Sequence, residues 1–221
     1  AGLAKSRRVR IVQGRARFTA PDRIVINGTQ WRFADCVIST GSAPVHLSGW
    51  PEDPRIWDSR AALELRSIPA RLAVVGGGII GLEMATVYAA LGSAVTIVEL
   101  AGQIAHKALE ATGCRILTGT GVDSVAAGPD NLRLALSGTT NETLEADAVI
   151  QAVGRRVNVR PLAPEAAGLA VGVDGTLAVN GQCRTVQPHV YAVGDVTGGP
   201  MLAHRASHQG KIAAESACGH H

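Results

Sequence analysis

Apolar positions change their spacing along the chain. Val9–Val12 and Arg23–Asn27 predict short strands around a turn at Ala20–Asp22, and Asp35–Ser39 predicts a strand entering the turn Gly41-Ser42-Ala43-Pro44. Pro51, Pro54 and the polar residues between them predict a loop, and Ser59–Arg66 a short helix with Ser59 as N-cap. The pattern then becomes denser. Arg71–Val75 reads as a buried strand, Ile80–Leu91 as an apolar helix stopped by Gly92, and Ala94–Val98 as a second buried strand ending at Glu99. Together they cover roughly 30 residues, the size of a βαβ crossover. Cys114–Leu117 predicts a third parallel strand, and Asn131–Leu136 and Leu144–Ile150 predict strands of a meander. Beyond Gly154, a loop rich in Pro and Ala leads to short strands at Thr176–Val179 and Val190–Val193, the latter ending in Gly194-Asp195. His204–Glu215 predicts a closing helix, and the fold class is α/β.

Composition narrows the function classes. The 221 residues, 46% of them apolar, suffice for one large domain or two small ones and exclude a disordered chain. The 26 glycines fall inside strand-like runs, where turns and close ligand approach explain them better than flexibility. The net charge is only +3, and the basic clusters Arg7, Arg8, Arg10 and Arg155, Arg156 are short and lack interleaved aromatics, so nucleic acid is not an expected partner. No apolar run approaches the ~20 residues that span a bilayer, so no membrane partner is expected. No signal peptide is read at the start, and His220 and His221 are assigned no function. Cys36, Cys114, Cys183 and Cys218 lie far apart with no Cys-x-x-Cys or Cys-x4-Cys, which predicts reduced thiols in a cytoplasmic protein. Cys36 and Cys114 are read as small buried hydrophobes, and no metal site is expected.

The chemistry concentrates in Gly76-x-Gly78-x-x-Gly81. Such a motif alone is weak, but here it follows an apolar strand and opens a helix, and an acid stands 23 residues after Gly76 at the end of the next strand. Gly76, Gly77, Gly78, Ile79, Ile80, Gly81 and Leu82 are therefore expected to form a phosphate-binding turn and helix start. Gly76 permits the tight turn, Gly78 admits the pyrophosphate to the backbone, and Gly81 lets the helix approach the sheet. Free N–H groups and the helix dipole favour the phosphate charge. Glu99 stands where a carboxylate accepts from ribose hydroxyls and repels a 2′-phosphate, and Leu100 and Ala101 follow it rather than Arg or Lys, which predicts NAD over NADP.

The stretches Ser39–Pro44 (STGSAP), Glu52–Leu65, Val75–Leu91, Ala152–Arg155 (AVGR), Tyr191–Asp195 (YAVGD) and Gly199–His204 (GPMLAH) occur in an order that resembles the dihydrolipoamide dehydrogenases of the flavoprotein disulfide reductase family. The resemblance implies a Rossmann-like FAD/NAD(P)-binding fold in which an NAD domain, residues 47–156, is inserted into a truncated FAD domain made of 1–46 and 157–221. It implies FAD contacts for Thr40, Gly41, Ser42 and Asp195, with Met201, Leu202, Ala203 and His204 at the flavin ring end. It adds Glu83 near the nicotinamide, Val122 near the adenine and Gly154 at the nucleotide backbone. It further implies oxidation of dihydrolipoyl groups on the lipoyl domains of a 2-oxo-acid dehydrogenase complex, by a parent protein that is a homodimer.

Three departures from the family stand out. The first half of the FAD domain, with its own glycine motif and Cys-x4-Cys, has no counterpart before Gly41. Nor is there a counterpart of the family's C-terminal interface domain with its His-Glu pair. The passage from Ala101 to Gly113 is shorter than the family's turn and helix. No catalytic residue is therefore named, and this chain alone is expected to hold little FAD and to be inactive. Two alternatives remain: another flavoprotein disulfide reductase, of mercuric or glutathione reductase type, or a non-catalytic NAD-binding redox sensor.

Overall fold

The computed structural model describes residues 2–103 and 113–220. The chain divides into two compact units: Pro44–Arg155, and a unit assembled from Ala1–Ala43 with Arg156–His221.

In the first of these, five strands form a parallel sheet in the order Ile56–Trp57, Ala148–Gln151, Arg71–Val75, Ala94–Val98, Arg115–Leu117. Side chains alternate across a strand, so an apolar run supplies both faces. Leu72, Val74, Ile97 and Ile150 pack on one face against Leu82, Met84, Ala85 and Tyr88 of the helix Ile79–Ala90. Ala73, Val75, Val98 and Val149 pack on the other against Val125, Leu132, Leu134 and Leu136. These last four belong to the antiparallel meander Thr120–Ala127, Leu132–Gly138, Thr143–Ala146. Tyr88 is buried, and its hydroxyl donates to the carbonyl of Ala62 at 2.8 Å.

Two expectations in this unit are corrected. Leu144–Ile150 is not one strand: Thr143–Ala146 stays in the meander, while Ala148–Gln151 joins the parallel sheet. Asp147 pins the break, donating its N–H to Arg71 O at 2.9 Å and accepting the Arg71 N–H and guanidinium on its carboxylate. The helix Ser59–Leu63 is capped by Asp58 rather than Ser59, the Asp58 carboxylate accepting the N–H groups of Arg60 and Ala61 at 3.0 and 2.8 Å.

The other unit holds an antiparallel sheet, Ala16–Ala20, Arg23–Ile26 and Thr29–Arg32, and a parallel pair, Cys36–Ile38 with Val190–Ala192. The helix Ala203–Ala217 follows. Phe18, Ile38, Val159, Leu177, Val190 and Val196 lie at its core. Val9–Val12 is not a strand: Val9 and Ile11 are 57% and 63% exposed, and Arg23–Ile26 pairs instead with Ala16–Ala20, which buries Phe18. Thr176–Val179 is reduced to a single bridge, Leu177 to Val171. There Asp174 accepts from the Thr176 N–H and hydroxyl, holding a turn where a strand was expected.

Candidate functional site

Within Pro44–Arg155, the carboxyl ends of Arg71–Val75, Ala94–Val98 and Ala148–Gln151 open onto a cleft of about 800 Å3. This is the edge of an open α/β sheet at which ligands bind. Of the residues singled out in the sequence, Gly76, Gly78, Glu99, Val122 and Gly154 line it.

The three glycines meet different surroundings. Gly76 has φ +109°, and a Cβ there would overlap the Ala152 carbonyl. At Gly81 a Cβ would overlap the Gly76 carbonyl and approach Ala152 Cβ to 3.3 Å. At Gly78 a Cβ would meet nothing within 4 Å: the position is open toward the cleft. Two glycines are thus required by the protein's own packing, and the third leaves room for something else. Gly78 is also the N-cap of the helix Ile79–Ala90 and makes no side-chain cap, so first-turn N–H groups are left to a ligand.

Glu99 is half-buried at the end of Ala94–Val98. Its carboxylate accepts from the N–H of Gly77 and, at 2.7 Å, from that of Ala101. One side chain thereby ties the glycine loop to the next strand end while facing the cleft. This tie was not legible in the sequence, because it depends on how the two strand ends converge.

The remaining predicted residues of the segment lie around the cleft rather than on its lining. Gly77, Gly81 and Leu82 are buried, Ile80 packs against the core, and Ile79 and Glu83 are exposed. The lining also includes residues not singled out beforehand, among them Leu47, Leu100, Gly121, Asp123 and Ser137. Leu47 is held there by its N–H donating to Gln151 Oε1 at 2.9 Å. The spaced glycines Gly119, Gly121 and Gly138 were the available signal for this wall.

In the other unit, Gly41 and Asp195 line an open depression of about 490 Å3 with Ser39, Gly194 and Ser207. The Asp195 carboxylate accepts from Ser42 Oγ. Thr40 Oγ1 donates to Asn158 O at 2.7 Å, and Asn158 N–H donates to Gly41 O at 2.9 Å. A carboxylate, hydroxyls and an uncluttered glycine backbone suit one end of a polyhydroxylated ligand. Met201, Ala203 and His204 are exposed around the start of the helix Ala203–Ala217, which Leu202 directly precedes, and none of the four lines the depression. Gln209 and Arg205 were missed: Gln209 Oε1 accepts the Gly194 N–H at 2.8 Å, and Arg205 donates to Gly198 O and Thr197 Oγ1, steadying the loop after Asp195.

All four cysteines are free; Cys114 and Cys183 are buried, Cys36 is half-buried and Cys218 exposed. Burial pushes the Cys36 thiol up to about 11 and raises that of Cys183, so neither is a ready nucleophile at neutral pH. Among the described residues no cluster of His, Cys, Asp and Glu could hold a metal ion, and no helix is long and apolar enough to cross a membrane.

The family model of pyridine nucleotide-disulphide oxidoreductases matches residues 1–210. The dihydrolipoyl dehydrogenase of Haemophilus influenzae is 42% identical over 236 residues, covering 99% of this chain and 49% of the relative. That of Vibrio cholerae is 40% identical over 232 residues, covering 97% and 49%. The chain spans about half the length of the curated relatives it matches. Both aligned lengths exceed the 221 residues of the chain, so these relatives carry residues within the matched span that the chain lacks. The shortening expected after Ala101 falls largely on 104–112, outside the described residues. Among solved structures, LpdA from Mycobacterium tuberculosis is similar with a TM-score of 0.87 at 27% identity, covering all of this chain and 52% of that one. The HOCl-induced flavoprotein disulfide reductase RclA from Escherichia coli follows with a TM-score of 0.86 at 26% identity, covering 97% and 52%. A match of this extent, on a chain whose glycine loop and Glu99 meet at one cleft, assigns it: the chain belongs to the pyridine nucleotide-disulphide oxidoreductase family.

Proposed function

We propose that the unit Pro44–Arg155 binds NAD(H) in preference to NADP(H), and that the chain is part of a cytoplasmic, homodimeric dihydrolipoyl dehydrogenase. In that reading Ala1–Ala43 and Arg156–His221 contribute part of an FAD-binding domain. The protein would serve lipoyl domains of a 2-oxo-acid dehydrogenase complex. The identity of about 40% with two dihydrolipoyl dehydrogenases, against 26% with RclA, favours lipoyl groups over another disulfide substrate.

One observation carries the nucleotide reading: Glu99 faces the cleft beside an open Gly78, and it is followed by Leu100 and Ala101 rather than by Arg or Lys. The Gly76–Gly78 backbone and the start of the helix Ile79–Ala90 would hold the pyrophosphate, and Glu99 the adenosine ribose. Ala152 and Gly154 would flank the nicotinamide end, with Glu83 nearby. In the other unit Thr40, Gly41, Ser42 and Asp195 would hold the ribityl side of FAD, and Met201–His204 its ring end. When bound, the two cofactors supply hydride transfer between a dithiol and nicotinamide; the protein's groups position them and exclude water. The four described cysteines are free and supply no redox pair to that chemistry.

Calorimetry with NAD+ and NADP+ on wild type, Glu99→Gln and Glu99→Ala tests this. Wild type should prefer NAD+. Glu99→Gln keeps an acceptor for the Gly77 or Ala101 N–H but loses the charge, so its gap to NADP+ should narrow. Glu99→Ala should weaken both. Equal wild-type affinity for the two cofactors refutes the assignment.

A further inference from the structure

The cleft wall formed by the strand Thr120–Ala127 has an irregularity in its pairing with Leu132–Gly138. Val122 is opposite Leu136, but Ser124 is opposite Ala135, so Asp123 is an extra residue in the ladder. A bulge re-aims the side chain it carries, and bulges are over-represented beside binding sites. Asp123 lines the cleft, and its Oδ1 accepts from Ser137 Oγ at 2.6 Å. An ionised carboxylate only accepts, and a serine hydroxyl has a single proton, here committed to Oδ1. The pair therefore presents the cleft with an acceptor, Oδ2.

The position along the cleft follows from Glu99. If Glu99 holds the adenosine ribose, the base is attached one sugar further on. The chain next to Glu99 there is Thr120, whose N–H donates to Glu99 O at 3.0 Å. Leu100 is 77% exposed on the lining, and its Cδ1 stands 3.5 Å from where a Cβ on Gly121 would be. An apolar side chain lying over a residue without one makes a flat wall for a base, with Asp123 two residues beyond Gly121.

We infer that Asp123, oriented by Ser137, is a specificity-determining residue that accepts a hydrogen bond from the 6-amino group of the adenine. This rests on the proposed nucleotide reading of the cleft. Adenine carries an N–H2 donor at that position. Hypoxanthine carries a carbonyl there, which would face the carboxylate acceptor to acceptor.

The test is calorimetry on the 221-residue chain with NAD+ and with nicotinamide hypoxanthine dinucleotide. Asp123 is exposed, so the expected preference of wild type for NAD+ is about tenfold, the low end for a bond to a charged group. Asp123→Asn turns one oxygen into a donor and should abolish or reverse the preference. Asp123→Leu should reduce it without reversal. Equal wild-type affinities, or a ratio unchanged in Asp123→Asn, overturn the inference while leaving the nucleotide reading intact. Failure of both dinucleotides to bind wild type overturns the nucleotide reading and this inference with it.

Discussion

The contrast between Gly78 and Gly81 gives the sharpest separation of folding from binding. Gly78 has φ −75° and ψ 176°, ordinary extended backbone, and a Cβ there meets nothing. Gly78→Ala should leave stability within about 0.5 kcal/mol of wild type, or raise it slightly by restricting the unfolded chain. Its methyl group nevertheless enters the space where the pyrophosphate is proposed to approach the backbone, so affinity for NAD+ should fall at least tenfold. Gly81→Ala should do the opposite. Alanine is favoured over glycine in a helix by about 1 kcal/mol. Against that gain, its Cβ overlaps the Gly76 carbonyl and crowds Ala152 Cβ, with the helix already packed on the sheet. Overpacking costs about 1–3 kcal/mol, and overlap with a backbone carbonyl rather than a flexible side chain puts this case near the upper end, so Gly81→Ala should be destabilised by about 2 kcal/mol net. Urea denaturation read by circular dichroism, with calorimetry on the folded variants, separates the two. A Gly81→Ala chain as stable as wild type, or a Gly78→Ala chain binding NAD+ undiminished, refutes the reasoning.

Three further outcomes follow from individual contacts. The Arg55 guanidinium, bonded to Asp53 at 2.7 and 2.8 Å, holds that carboxyl at about 2 against an ordinary 3.8, equivalent to about 2 kcal/mol. The folded value is the lower one, so this stability is present above about pH 4 and lost as the pH falls through 2; acid titration of Asp53→Asn should lack that step. Tyr88→Phe removes the buried bond to Ala62 O and should cost about 1–2 kcal/mol in urea denaturation, with no change expected in nucleotide affinity. A thiol reagent at pH 8 should label the exposed Cys218 first, with Cys36 and Cys183 far slower because burial raises both; labelling at equal rates, read by mass spectrometry, would contradict this.

The part of the fold legible in the sequence was the part whose signals are local. Arg71–Val75 and Ala94–Val98 are bounded by Gly76 and Glu99, and the helix that the spacing predicts over Ile80–Leu91 spans Ile79–Ala90. The strand Thr120–Ala127 escaped because TGVDSVAA mixes small, polar and apolar residues without clean alternation, its bulge at Asp123 breaking the period. Leu144–Ile150 read as one strand because both halves are apolar, and only the bonds between Asp147 and Arg71 divide them. Val9–Val12 has strand composition but no partner strand among the described residues. The site follows the same division. Gly76, Gly78 and Glu99 are set by spacing along one crossover. Asp123 and Ser137 reach the cleft through ladder register, and Leu47 through its bond to Gln151, which no local pattern encodes.

The proposed dinucleotide lies across the carboxyl edge of the parallel sheet. Amide chemical-shift mapping of the isotope-labelled chain during titration with NAD+ tests it most directly. Saturable shifts are expected at Gly76–Gly81, at Ala101 as Glu99 rearranges, and at Thr120–Val122, with little change at Ser39–Gly41 or Gly194–Asp195. Shifts confined to Ser39–Gly41 and Gly194–Asp195, or none at saturating NAD+, would contradict it.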